Sequence, residues 1–336
     1  MIQQAIAQLI EGRDLDRETA RGVMDQIFTG AATDAQIGGF LVALRCKGET
    51  VDEIAGLAET MREKATRITG GREPLIDTCG TGGDGLGTFN ISTTVAFVAA
   101  GAGLCVAKHG NRAMSSQCGS ADVLAALGVN IEAAPDVVGR CLDEAGIGFL
   151  FAPMLHGAMK HAIGPRRELA TRTVFNILGP LTNPAGAKRQ LIGVFDGGLT
   201  SRMAGVLQAL GSERAFVVRG ADGLDEITLT GPSTVSELRE GAITTYEVEP
   251  ADFGFEAVPP EALKGGTPAD NAGILTAVLD GEAGAARNVV VMNAAAAIAA
   301  GGLTASLEEG AAAAREAIDS GRARQALQTL VDVSNG

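Results

Sequence analysis

Through residues 1–70 the hydrophobic positions fall into blocks bounded by polar residues, and no strand-like run interrupts them. Asp16 is placed to cap a helix running to about Phe28, with Gly30 as its stop. Thr33 or Asp34 opens the next helix, which ends near Gly48. Thr50-Val51-Asp52-Glu53 has the form of a capping box and starts a third. The pattern changes at Gly70-Gly71-Arg72-Glu73-Pro74, whose composition marks a hinge. Beyond it, short apolar runs alternate with helical stretches. Residues 75–78, 104–107, 147–151, 190–195 and 215–219 read as strands; 92–100 and 121–127 read as helices. Such alternation predicts an α/β arrangement with a largely parallel sheet. From Ala285 onward the chain is alanine-rich and helical, broken at Gly301-Gly302 and around Ser320-Gly321, and is expected to pack against the sheet.

Composition sharpens this picture. A chain of 336 residues holds about two domains, or one large domain with an appendage. With 46% hydrophobic residues but only 4% aromatics and no Trp, its core must be built from Ala, Leu, Val and Ile. The net charge of -13 argues against non-specific nucleic-acid or anionic-membrane binding, both of which need a positive field. Cys46, Cys79, Cys105, Cys118 and Cys141 are odd in number and lack CxxC spacing, which fits a reducing compartment, here the cytoplasm. The start, MIQQAIAQLIEG, has no basic segment followed by a long apolar one, so no signal peptide is expected. Residues 85–107 and 288–307 carry no charge, but neither is apolar enough to favour membrane insertion over burial in a protein core.

The chemistry concentrates after the first strand. Residues 77–90 read DTCGTGGDGLGTFN, and Gly80 to Gly85 fit a GxGxxG turn. A dinucleotide site also needs an acidic residue about 20 positions on. No Asp or Glu occurs between Asp84 and Asp122, and the second strand ends instead in Lys108-His109-Gly110-Asn111-Arg112. No GxxxxGK[ST] is present either. A plain flexible turn, with Asn90, Ser92 and Thr93 as helix caps, is the simplest alternative. Against it, Ser115-Ser116 and Gly119-Ser120 follow, so hydroxyls, amides, glycines and two cations recur at the carboxyl ends of successive strands. Ligands bind there in open α/β sheets, and glycine loops at helix N-termini suit phosphates.

Seven motifs in order then become specific: GTGGD (80–84), NIST (90–93), KHGNRAMSS (108–116), GSADVLAALG (119–128), GPRREL (164–169), RTVFNILGPLTNP (172–184) and DGLDE (222–226). Together they resemble the anthranilate phosphoribosyltransferases. The resemblance implies a small helical domain, residues 1–70 with a returning segment at about 165–184, joined to an α/β domain of 71–164 and 185–336. It implies transfer of the phosphoribosyl group of 5-phosphoribosyl 1-diphosphate (PRPP) to the amine of anthranilate, in tryptophan biosynthesis, by a cytoplasmic homodimer using two Mg2+ ions per subunit.

Residue by residue, the resemblance places Gly80, Gly83, Asp84, Thr88, Asn90, Ile91, Ser92 and Thr93 around PRPP. Lys108, His109, Gly110, Asn111, Arg112, Ala113, Met114, Ser115, Ser116 and Ser120 continue that site. Gly80 borders both substrates; Asn111, His109 and His156 lie toward the acceptor, and Arg166 addresses its carboxylate. Ser92, Asp225 and Glu226 match magnesium positions. Lys108 and His109 are the candidates for catalysis, without a firm role; no Ser, His and Asp triad is suggested. Taken alone, Asp225-Glu226 reads as a solvated acidic pair, Arg112 as one half of an ion pair, and one of Arg166 and Arg167 as a partner of Glu168. A pyrimidine nucleoside phosphorylase and a non-catalytic phosphosugar-binding protein are the competing readings.

Overall fold

Four helices lead the computed structural model, which describes residues 1–113 and 117–336. They are α1 (Ile2–Ile10), α2 (Arg17–Phe28), α3 (Asp34–Lys47) and α4 (Val51–Lys64). Their caps are the polar residues read from the sequence. Asp16 accepts from the Thr19 amide at 2.7 Å, and Thr33 and Thr50 close capping boxes with Gln36 and Glu53. Glu53 can be fully buried because both its oxygens are hydrogen-bonded: it also accepts from the Leu15 amide and from Lys47 Nζ, each at 2.9 Å.

Alternation begins with β1 (Leu75–Gly80), α5 (Ile91–Gly101), β2 (Cys105–Gly110), α6 (Ser120–Ala126), α7 (Pro135–Glu144) and β3 (Ile147–Phe151). Three helical pieces follow: α8 (Ala152–Leu155), α9 (Lys160–Leu169) and α10 (Phe175–Leu178). Next come β4 (Arg189–Gly193), α11 (Leu199–Ala209) and β5 (Arg214–Gly220), then the strands β6 (Ser233–Arg239) and β7 (Ala242–Val248). The chain closes with α12 (Pro268–Leu279), α13 (Ala285–Gly301), α14 (Leu307–Asp319) and α15 (Arg322–Asn335).

The sheet has seven strands in the order β3-β2-β1-β4-β5-β6-β7. The first five are parallel, while β6 and β7 are antiparallel. Strand order reverses between β1 and β4, so a crevice opens at their carboxyl ends, the usual ligand position in such sheets. The chain is thus a helical part joined to a larger α/β part with a mainly parallel sheet.

Alternate side chains of the strands serve two cores. Phe216 and Val218 join α5 and α13 on one face; Ala215 and Val217 join α11 on the other. The second core continues without a break into α1–α4 and takes in Ala162, Val174, Phe175 and Leu178 from the segment after β3. That segment therefore packs with the first helices rather than with the sheet's α5 face. Helix α13 explains one charge-free stretch: residues 294–300, alanine except for Ile298, are all fully buried, and Gly310 of α14 approaches the Ala295 backbone closely. Among the described residues no helix is long and apolar enough to cross a membrane.

Candidate active site

The glycine loop runs from the end of β1 to the first turn of α5. Gly82, Gly83, Gly85 and Gly87 hold φ between +65° and +82°, where an L side chain is strained. Loops after β1, β4 and β5 are hydrogen-bonded together. The Gly82 amide donates to Asp225 Oδ2 at 2.7 Å, the Thr81 amide to Gly193 O at 2.9 Å, and the Phe195 amide to Thr81 Oγ1 at 3.2 Å. Gly80 has a packing reason to be glycine, since a Cβ there would strike the Asp225 carboxylate. At its far end the loop is pinned through the Gly265 amide to Gly87 O, and the Thr88 backbone bridges to Lys264.

Helix α5 presents its N-terminus to this crevice with no acidic residue in its own first turn. The Ile91 amide is taken by Phe89 O at 2.7 Å and the Ser92 amide faces Glu226, so this helix start, with its dipole, already attracts negative charge. Asn90 stands at the cap but its side chain does not cap. It donates to Cys118 O at 3.2 Å and accepts from Asn271 Nδ2 at 2.9 Å, so it ties three loops together. Ile91 is buried in the core, and the Oγ1 of fully buried Thr93 has no hydrogen-bond partner among the described residues.

Lys108 lies beneath that helix start, only 2% exposed. Its Nζ donates to Thr78 O at 2.6 Å and lies 3.4 Å from Ser92 Oγ. Burial pushes its pKa down, against the pull of Asp77, Cys79 and Glu226. Its charge reaches the crevice through Ser92 and as an offset to Glu226. Carboxylates collect on the other side. Burial first, and then the facing Asp84, push Asp225 up to about 7; burial and then Asp225 hold Glu226 well above the usual range. Glu226 is buried, so these two are not an ordinary solvated pair.

His109 and His156 form a buried contact with 3.2 Å between their Nε2 atoms. His109 Nδ1 lies 3.2 Å from Gly179 O, which can only accept, so Nδ1 carries the proton. His109 Nε2 then accepts from His156 Nε2–H. Burial, and then His156, lower the His109 pKa to about 3; burial lowers that of His156 to about 4. Two neutral rings with these assignments make a rigid polar wall and a poor general base. Asp77, which sequence reasoning left without a role, is fully buried behind them and accepts from the His109 amide at 3.0 Å and from Asn183 Nδ2 at 2.8 Å.

After β2, Gly110 is needed because a Cβ would meet Ser120 Oγ and the Phe149 ring. Asn111 is exposed, and its backbone carbonyl accepts from Ser120 Oγ at 3.2 Å. Arg112 pairs with Asp122 at 3.0 Å, so the ion-pair reading is the observed one. The Ala113 amide donates to the same carboxylate. Met114, Ser115 and Ser116 lie outside the described residues. Arg166, half-buried on α9, stands 4.9 Å over the Phe175 ring, and burial lowers its pKa. Among the described residues neither Arg166 nor Arg167 pairs with a carboxylate, Glu168 included. Arg166 is therefore an uncommitted guanidinium suited to an external carboxylate.

One more residue holds the site from outside. Asn293, the lone polar side chain in the buried middle of α13, accepts from the Ile227 amide and donates to Ile227 O, both at 2.8 Å. It fixes the strand of chain next to Glu226. Its signal in the sequence was one amide in a run of alanines.

Residues 3–65 match the model of the glycosyl transferase family, helical bundle domain, and 72–324 that of the glycosyl transferase family, a/b domain. A relative from Anaeromyxobacter sp. (strain K), named anthranilate phosphoribosyltransferase, is 57% identical over 331 residues, 98% of each chain. The solved anthranilate phosphoribosyltransferase of Thermus thermophilus superposes with a TM-score of 0.93 at 45% identity, covering 99% of both chains. The chain belongs to the anthranilate phosphoribosyltransferase family. The yeast member from Saccharomyces cerevisiae, solved in complex with PRPP and Mg, has a TM-score of 0.90 at 28% identity and covers 99% of this chain and 98% of that one. The same yeast enzyme has been solved with 4-fluoroanthranilate. For an anthranilate phosphoribosyltransferase fold, every loop described above falls inside the a/b match, while Ile2 to Lys64 supply the helical bundle.

Proposed function

We infer that the protein transfers the 5-phosphoribosyl group of PRPP to the amine of anthranilate, releasing pyrophosphate and giving N-(5-phosphoribosyl)anthranilate, a step of tryptophan biosynthesis. The observation that carries this reading is near-full-length identity to relatives of that name, 57% over 331 residues in one case, in a chain with a glycine loop and a helix N-terminus at the sheet's switch point.

The glycine loop and the α5 amides hold the phosphates, with Ser92 and Thr93 offering hydroxyls and Lys108 positive charge from below. Arg166 takes the acceptor carboxylate as a fork, with His109, His156 and Asn111 on the acceptor side. The aryl amine is neutral near pH 7 and attacks the ribose carbon as the bond to pyrophosphate breaks; the nitrogen then releases one proton to solvent. Holding the two reactants together supplies much of the acceleration, and closing the loop keeps water off the activated sugar.

Magnesium fits the donor set. Ser92 Oγ, Asp225 and Glu226 are hard oxygen donors, and the raised carboxyl pKa values mark negative charge that lacks a counterion. The described residues include no cluster of three or more His, Cys, Asp or Glu ligands. An ion here therefore takes few protein carboxylates and completes its shell with hydroxyl, water and phosphate oxygens, as magnesium does. When bound, it neutralises charge on the diphosphate leaving group. Two ions per subunit, a cytoplasmic location and a homodimer belong to the same proposal. The exposed apolar side chains of Ile10 and Val42, on helices that pack together, support the dimer. The shared core described above likewise supports the division into residues 1–70 with 165–184 and the remainder.

A fluorescence assay tests the reading. Anthranilate emission should fall when PRPP and magnesium are both present, and thymidine with phosphate should give no reaction. Steady emission, or thymidine phosphorolysis, overturns it.

A further inference from the structure

The middle of the glycine loop has few anchors. Amide hydrogen bonds donated by Thr81 and Gly82 fix one end, and Gly87 O, accepting from the Gly265 amide, fixes the other. Between residues 83 and 86 the sole hydrogen bond to the loop backbone from outside it, among the described residues, comes from Arg172 Nη2 to Gly83 O. Arg172 lies between α9 and α10, six positions beyond Arg166. Its guanidinium stacks 4.1 Å from the centroid of Phe195, at the end of β4. Phe195 is itself held by the Thr81 hydroxyl and by Arg219 Nε, which donates to its carbonyl at 3.4 Å. The side chain is exposed, and among the described residues no carboxylate pairs with it. Gly83 is shaped to receive it: φ is +82°, and a Cβ would lie 3.0 Å from the guanidinium. Ahead of Arg172, Ala170 ends α9 in the left-handed region at φ 45° with its amide on Arg166 O, which turns the chain out of the helix.

We propose that Arg172 is a positioning residue that latches the glycine loop to the segment carrying Arg166, so that the donor loop and the acceptor guanidinium are held in one frame. The proposal rests on the transferase reading above. The plane stacked on Phe195 aims the Nη2 donor at Gly83 O, so lysine, which has no such plane, is a poor substitute. Loss of the latch loosens the loop and weakens PRPP binding before it touches the bond-making step.

The test is steady-state kinetics of wild type, Arg172→Ala, Arg172→Lys and Phe195→Leu, varying PRPP and anthranilate in turn, with calorimetric titration of PRPP plus magnesium and a melting curve for each. Arg172→Ala should raise the PRPP KM about tenfold, the equivalent of about 1.4 kcal/mol, with a kcat change within about twofold. Lysine should recover less than half of that loss, and Phe195→Leu should show part of it. Adding Arg172→Ala to Phe195→Leu should cost no more than Arg172→Ala alone. A PRPP KM within about twofold of wild type in a well-folded Arg172→Ala refutes the latch, as does full rescue by lysine. Should Arg172→Ala fail to fold, Phe195→Leu decides by the same criterion. A wild type that never consumes anthranilate, but whose PRPP binding still falls in Arg172→Ala, overturns the transferase reading and supports the latch.

Discussion

Replacing Asn293 by Ala should unsettle the acidic end of the site from a helix that never enters it. The side chain is fully buried and satisfies both backbone groups of Ile227, itself fully buried. Alanine leaves that N–H and C=O without partners, at about 1–3 kcal/mol each, or about 2–6 kcal/mol together. Its third bond, to Val289 O, adds little because that carbonyl already lies within α13. Urea unfolding should therefore show a loss of at least about 2 kcal/mol. Asn288→Ala, on the same helix but half-buried, should change stability by no more than about 0.5 kcal/mol. Function should follow, because Ile227 adjoins Glu226: kcat/KM for PRPP should fall about tenfold, with a higher magnesium requirement. A stability loss below about 1 kcal/mol, with the PRPP and magnesium dependence of wild type, refutes the assigned role of Asn293.

Asp225→Ala combined with Glu226→Ala should lower turnover and change its dependence on magnesium concentration; an unchanged magnesium profile counts against both as ligands. Ala170→Gly relieves the strain of a left-handed alanine, about 1–2 kcal/mol, but adds about 0.5–1 kcal/mol of unfolded-chain entropy, so thermal unfolding should show no loss and a gain of up to about 1.5 kcal/mol. With His109 near 3 and His156 near 4, both rings are neutral above pH 5, and kcat/KM should show no histidine step between pH 6 and 8. The unfolded chain binds these protons near pH 6.5 and the folded chain only near 3–4, so stability should fall as pH drops below about 6.5, by up to about 1.4 kcal/mol per unit per histidine. Urea midpoints of wild type and His156→Gln should diverge in that direction from pH 6.5 to 5, and parallel slopes would rule it out.

Local signals were readable in the chain and distant ones were not. Asp16, Thr33 and Thr50 cap helices through partners three positions away, so their motifs are complete in the sequence. The buried strand β3 showed as an unbroken apolar run, and its span 147–151 needed no adjustment, whereas β1 and β4 carry the buried polar residues Asp77, Thr78 and Gln190. The β6–β7 hairpin went unread. Its two-residue turn is Glu240-Gly241, both at positive φ, where Asn-Gly or Asp-Gly is the usual mark. Glycines at the strand ends announced a ligand, yet Gly80 answers first to Asp225, and Gly110 to Ser120 and Phe149. Residues that hold the loops act across long separations: Asn293 to Ile227 spans 66 positions, Arg172 to Gly83 spans 89 and Asn271 to Asn90 spans 181. No periodicity encodes such pairs. Lys108 shows the same limit from the other side. Its place after an apolar run pointed to a phosphate, but only the fold shows the ammonium bonded to Thr78 and Ser92.

The charge arrangement bears on how such a chain could select PRPP. With a net charge of -13 the protein repels a free sugar diphosphate at long range; inside the crevice the raised pKa values of Asp225 and Glu226 mean that these carboxyls hold protons until a cation displaces them, and when ionised without one they oppose a second anion. Among the described residues Lys108 is the sole buried Lys or Arg, and part of its charge is already balanced by Asp77 and Glu226. One ammonium cannot offset the phosphates as well. Main-chain amides can orient the phosphates, but they bring no net charge. Under the proposed function the carboxylates therefore act as a filter: they disfavour the bare diphosphate and favour it only when it arrives with, or meets, a divalent cation. An orthophosphate ion carries less charge and offers fewer oxygens to such a cation, so the same carboxylates that look misplaced in an anion site steer this crevice toward a diphosphate donor.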